Sequence, residues 1–104
     1  MTEYKVVLHR EAERELGELY DYIADQAGAT IAWNFISGIR DFCTELTTFP
    51  ERGTRQDHIR KGLRVVGYKR RVSIAFTITK RTVVILGIFY GGRQITSGHL
   101  KSRK

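Results

Sequence analysis

The sequence predicts an α+β fold in which a helical hairpin packs on a small, mainly antiparallel sheet. Two observations carry that expectation. Two consecutive stretches with apolar residues at helical spacing fill the first half, and three short stretches of strand character fill the second. Pro50 and Gly53 punctuate the change between them.

Tyr4 to Leu8 is a short apolar run around Val6 and Val7, read as a first strand whose place in the sheet is left open. From Arg10 to Ala27 the period changes. Ala12, Leu16, Leu19, Ile23 and Ala27 recur at spacings of three and four and share one helix face, while Glu11, Glu13, Arg14, Glu18, Asp21 and Asp25 fall elsewhere. The early acidic residues suit the positive end of a helix dipole, and Gly28 can take the left-handed conformation that ends a helix. Ala29 or Thr30 opens a second helix, with Thr30 the better capping residue. Its expected stripe is Ala32, Phe35, Ile39, Phe42, Leu46 and Phe49. So short a connection folds the two helices back on each other.

Residues 51–62 read as a loop. Leu63 to Tyr68 reads as a strand, followed by a tight turn at Lys69-Arg70 that lacks the usual glycine or asparagine. Val72, Ile74, Phe76 and Ile78 alternate with smaller or polar residues, as a half-buried strand requires. Lys80-Arg81 turns the chain again. Val83 to Tyr90 is apolar at successive positions and reads as a central strand ended by Gly91-Gly92. The predicted order is therefore β-α-α-β-β-β. Residues 1–95 are expected to form a single domain and residues 96–104 a basic tail, mobile or ordered by a partner.

With 104 residues, 41% of them hydrophobic and 28% charged, the chain suits one globular domain and is too apolar for a disordered one. The apolar run at 83–90 is too short to span a bilayer. Met1-Thr2-Glu3-Tyr4-Lys5 carries no apolar export signal, and the lone Cys43 can form no internal disulfide, so a reducing cytoplasm is expected. Cys43 lies beside the second helical stripe and reads as a packed small residue rather than a nucleophile. The net charge of +7 is unevenly spread. Residues 1–49 hold four basic and nine acidic side chains; residues 50–104 hold fourteen basic ones against Glu51 and Asp57 alone. A net −5 half thus precedes a net +12 half, and the latter fits an anionic partner. A plain nucleic-acid-binding module is the weaker reading, since both predicted helices lie in the acidic half.

Three stretches carry a resemblance to a known family: the helix segment Glu15-Leu16-Gly17-Glu18-Leu19-Tyr20-Asp21-Tyr22-Ile23; Phe49-Pro50-Glu51-Arg52-Gly53 followed by Ile59-Arg60-Lys61-Gly62-Leu63-Arg64; and Val83 to Tyr90 with Gly91-Gly92-Arg93. In this order they resemble the RelE/ParE toxins, and most closely the ParE branch. The resemblance implies a toxin of a bacterial type II toxin–antitoxin system. Its expected partner is a ParD-like ribbon-helix-helix antitoxin in a hetero-oligomer, with operator DNA contacted only through that complex. It implies DNA gyrase as the target of a ParE-like member, inhibited by binding, and the ribosome with its mRNA as the target of a RelE-like endonuclease. No membrane association and no cofactor are expected.

Metal-independent RNA cleavage needs a base for the 2′-hydroxyl, an acid for the leaving oxygen and cations for the charged phosphorane. Cations abound: Arg52, Arg55, Arg60, Lys61, Arg64, Arg70, Arg71 and Arg93. A proton shuttle is harder to find. His9, His58 and His99 are scattered and read first as solvated side chains. If the chain is a nuclease, Tyr90, His58 and Arg64 are its candidate catalytic residues. Without a matched acid–base pair, the binding reading is preferred and no catalytic residue is assigned. Arg60, Arg64 and Arg93 are then the candidates for target contact, being placed at strand ends. Tyr20, Tyr22 and Trp33 are the candidates for antitoxin contact. Three histidines and one cysteine at these spacings make no zinc pattern.

Overall fold

The computed structural model describes residues 4–91 together with Leu100 and Arg103. Strand β1 (Lys5–Leu8) leads into helix α1 (Arg10–Ala27), helix α2 (Ala29–Thr44) and a single 3-10 turn (Glu45–Thr47). Four strands follow: β2 (Thr54–Arg55), β3 (Arg64–Tyr68), β4 (Val72–Thr79) and β5 (Thr82–Tyr90). They form one sheet in the order β1-β5-β4-β3-β2. The predicted α+β class and the order of its elements hold, with a two-residue strand added inside the expected loop.

The strand left unplaced by sequence pairs in parallel with β5, from Lys5 opposite Thr82 to Leu8 opposite Ile85. A parallel neighbour requires a long crossover, and the helical hairpin is part of it. The remaining pairs are antiparallel. Both tight turns are made without glycine: Lys69 and Arg70 have φ of 49° and 59°, Lys80 and Arg81 have φ of 46° and 65°. Paired positive φ values give the backbone twist that a two-residue hairpin needs, here at a steric cost that asparagine-glycine would avoid.

Helix α1 starts on His9, whose Nδ1 accepts a hydrogen bond from the Glu11 amide at 3.0 Å. Gly28, with φ of 98°, both ends α1 and starts α2, so the hairpin has a single linking residue. Helix α2 therefore opens at Ala29 with no side-chain cap, not on Thr30. Its buried stripe is Ala32, Ile36, Ile39 and Cys43, continued by Leu46. Ala32, Ile39 and Leu46 are buried as expected, while Ile36 and Cys43 take the inward places expected of Phe35 and Phe42. Phe35 and Phe42 sit half-buried at the border of the stripe, and Phe49 is 65% exposed because the helix ends at Thr44.

The sheet has two apolar faces. On one, Val72, Ile74, Phe76, Val83, Ile85 and Ile88 meet Ala12, Leu16, Leu19, Ile36 and Ile39 of the hairpin. On the other, Ala75, Leu86 and Phe89 join Leu63 and Leu100, with Ile59 and Val65 packed around them. Leu63 thus lies fully buried just before β3 rather than inside it. The expected boundary at residue 96 falls outside the described residues. Of the two tail residues that are described, Leu100 is buried against this second face and Arg103 is buried beside α1, paired with Glu15. No helix among the described residues is long and apolar enough to cross a membrane.

Candidate functional site

At one end of the molecule the hairpin and the sheet bring five aromatic rings into a row. Tyr22 of α1 tilts against Tyr90 of β5 at 5.7 Å between centroids. Phe35 of α2 lies edge-on to Tyr90 at 6.5 Å and to Tyr68 of β3 at 5.8 Å. Phe42 closes the row, 5.5 Å from Tyr68. The row follows from register: Tyr68 is opposite Val72, and Val72 is opposite Tyr90, so both tyrosines face the helices at the same end of the sheet. Cations border it. Arg52 lies 5.3 Å from the Phe42 ring, Lys69 lies 5.6 Å from the Tyr68 ring, and Arg71 Nη1 donates a long 3.5 Å hydrogen bond to the Tyr90 hydroxyl.

Beside this row, a cleft of about 290 Å³ opens between α1 and the end of β5. Leu19, Tyr22, Ile88 and Tyr90 supply its apolar lining, with Glu15 and Glu18 at its border. Tyr22 and Trp33 are 53% and 64% exposed. Tyr20 is not their neighbour: two positions from Tyr22 it points about 200° away around the helix, and packs half-buried against the core.

The residues proposed for chemistry are not gathered. Tyr90 faces the helices, whereas His58 is exposed on the segment whose neighbour Ile59 packs on the opposite face of the sheet. Arg64, opposite Phe76 in the register, is on the helix-facing side of β3. Arg60 is occupied on the second face, where Nη1 donates to the carbonyls of Leu100, at 3.2 Å, and Arg103. Arg93 and His99 lie outside the described residues. Asp57 serves its own loop, accepting from Arg55 at 3.0 Å and from the Gly62 amide at 2.8 Å. The Arg55 bond, then the Gly62 bond, hold its carboxyl below the ordinary carboxylate value. Cys43 is buried, and loss of water around it pushes its thiol up to about 11, so it is a poor nucleophile. Among the described residues no group of three His, Cys, Asp or Glu side chains is placed to hold a metal ion.

A second constellation escaped sequence reading. Glu15 and Arg103, 8% and 7% exposed, form a buried two-pronged ion pair: Arg103 Nη1 donates to Glu15 Oε1 at 3.1 Å and Nη2 to Oε2 at 3.0 Å. It sits at a β-bulge. Phe76 of β4 pairs with Ile85 but Ala75 pairs with Gly87, so Leu86 is the extra residue and the ladder is interrupted there. The pair satisfies what the interruption frees: Glu15 Oε1 accepts from the Ile88 amide at 2.9 Å, and Arg103 Nη1 donates to the Leu86 carbonyl at 3.0 Å. Glu15 had a signal in the sequence, since it lies three residues after Ala12 and four before Leu19, on the apolar face of α1. Arg103, 88 positions away, had none.

A family model described as the ParE toxin of the type II toxin–antitoxin system parDE matches residues 6–95. No curated protein matches the chain. Among solved structures, the chain is similar to one from the chromosomal ParDE toxin–antitoxin system of P. aeruginosa, at 20% identity and a TM-score of 0.75 over 85% of this chain and 96% of that one. It is also similar to a chain of the RelBE2 toxin–antitoxin complex of Mycobacterium tuberculosis, at 20% identity and a TM-score of 0.63 over 89% and 97%. At such identities these likenesses establish the shared fold.

Proposed function

The chain belongs to the ParE toxin family of type II toxin–antitoxin systems, and from that premise we propose that it inhibits DNA gyrase by binding and is neutralised by a ParD-like antitoxin. One observation carries the choice of binding over chemistry. Tyr90 packs towards the helices at the end of β5, whereas His58, the other group that could share proton transfer, is exposed in the irregular segment before β3, beside an Ile59 that packs on the second face. A nuclease would need them within reach of one phosphate. The reading makes the chain a cytoplasmic protein with no catalytic residue of its own.

For the antitoxin, the cleft lined by Leu19, Tyr22, Ile88 and Tyr90 offers apolar anchorage beside exposed Tyr22. An amphipathic segment laid along α1 would bury these rings, with Trp33 as a further anchor. The likeness to chains from ParDE and RelBE systems supports a hetero-oligomer with such a partner. In this account the antitoxin is a ribbon-helix-helix protein and carries any contact with operator DNA. For the target, Arg64 and Arg93 remain the proposed contacts. Arg60 is held by the chain's own end and serves the fold first.

The second reading is a ribosome-dependent mRNA endonuclease with Tyr90, His58 and Arg64 as its candidate residues, and the fold shared with a RelBE chain is compatible with it. Purified gyrase separates the two. The proposal expects loss of supercoiling with accumulation of cleaved DNA on adding the isolated protein. Unaffected gyrase together with new mRNA ends on programmed ribosomes would establish the nuclease instead.

A further inference from the structure

The end of the chain occupies a site built to recognise it. Arg103 enters between α1 and the bulge of β5, where Glu15 takes both prongs of its guanidinium and the Leu86 carbonyl takes a third hydrogen bond. The Phe89 ring lies 5.5 Å from the guanidinium carbon. Leu100, 1% exposed, fills an apolar cup of Leu63, Ala75, Leu86 and Phe89. Arg60 grips the backbone of the anchors themselves, through the carbonyls of Leu100 and Arg103. Gly87 completes the site by having no side chain: a Cβ there would come within 2.6 Å of both Arg103 Nη1 and the Phe89 ring. A planar fork, an apolar side chain three residues earlier and the backbone at the site are therefore each read by a separate group.

We propose that the Glu15–Leu86–Phe89 pocket is a binding site for a leucine-x-x-arginine peptide segment, filled here by the chain's own Leu100 and Arg103, and that the same segment of another polypeptide can exchange into it. The chain's end is then an intramolecular ligand rather than a fixed part of the core. Its grip is specific for arginine, because both carboxylate oxygens and a carbonyl accept from two nitrogens of one guanidinium, which a single lysine ammonium cannot match in the same way.

The test uses the full chain carrying Arg103→Ala and a labelled synthetic peptide with the sequence of residues 98–104. The peptide should bind this variant one to one. It should bind the unchanged chain, and the variant that also carries Glu15→Gln, about tenfold or more weakly, and a peptide with lysine in place of the arginine should be weakened to a similar degree. Absence of binding overturns the proposal, as does equal binding of the arginine and lysine peptides or of the variant and unchanged chains. Should Arg103→Ala fail to fold alone, the peptides are supplied during refolding. Recovery with the arginine peptide and not the lysine peptide supports the site; equal recovery with both, or none with either, overturns it.

Discussion

The two faces of the sheet are closed by different means. The hairpin closes one with a continuous band of Leu, Ile and Ala side chains contributed at regular helical spacing. The other is closed by Leu63, Ile59 and Leu100, residues from an irregular segment and the chain's end, anchored by the buried Glu15–Arg103 pair. The first relies on apolar area removed from water, which is non-directional and tolerant. The second relies on charge-assisted hydrogen bonds that reward only one geometry. Taking two charges out of water is costly, and the pair repays it only while both members and the freed bulge groups remain matched.

That contrast predicts a ranking. Arg103→Ala leaves Glu15 buried with no counter-ion and the Leu86 carbonyl without its donor. It should cost about 3–5 kcal/mol in urea unfolding, and a loss below about 1 kcal/mol would mean the second face does not depend on the pair. On the helical face, Ile39→Val removes one methylene at a fully buried position and should cost about 0.5–1.5 kcal/mol. If trimming Ile39 cost as much as losing Arg103, the distinction between the faces would disappear.

Cys43 gives a smaller effect of a different kind. The fold holds its thiol neutral up to about 11, against an ordinary value of 9.0, because burial disfavours the thiolate. The unfolded chain therefore releases this proton before the folded one does. Its contribution to stability is fully present below pH 9.0 and is lost as pH rises towards about 11. Thiol labelling at neutral pH should accordingly await unfolding; rapid labelling of the native protein would show that the α2 face opens readily.

The same contrast explains what the sequence made legible. Ala12, Leu16 and Leu19 announce their helix because a buried stripe has a period, and alternation through Val72, Ile74 and Phe76 does the same for β4. In α2 the expectation holds at Ala32, Ile39 and Leu46 and misses at two positions, because Phe35 and Phe42 are larger than their neighbours, yet Ile36 and Cys43 are the buried ones. The second face has no period to read. Leu63 and Leu100 meet across 37 positions and Glu15 and Arg103 across 88, through contacts that only the folded sheet creates. For the candidate site, the aromatic residues could be named individually. Their alignment needed the register that sets Tyr68, Val72 and Tyr90 side by side. The parallel placement of β1 was illegible for the same reason.

The central functional claim is that this ParE-family toxin acts by binding and carries out no chemistry of its own. Its most direct test is induced expression of the Tyr90→Phe, His58→Ala double variant beside the unchanged protein. Phenylalanine keeps the Tyr90 ring against Tyr22 and Phe35 and removes only the hydroxyl, and His58 is exposed. The account predicts undiminished growth arrest and gyrase-dependent DNA cleavage. Loss of toxicity in a folded double variant, with loss of mRNA cleavage that the unchanged protein produces, would contradict it.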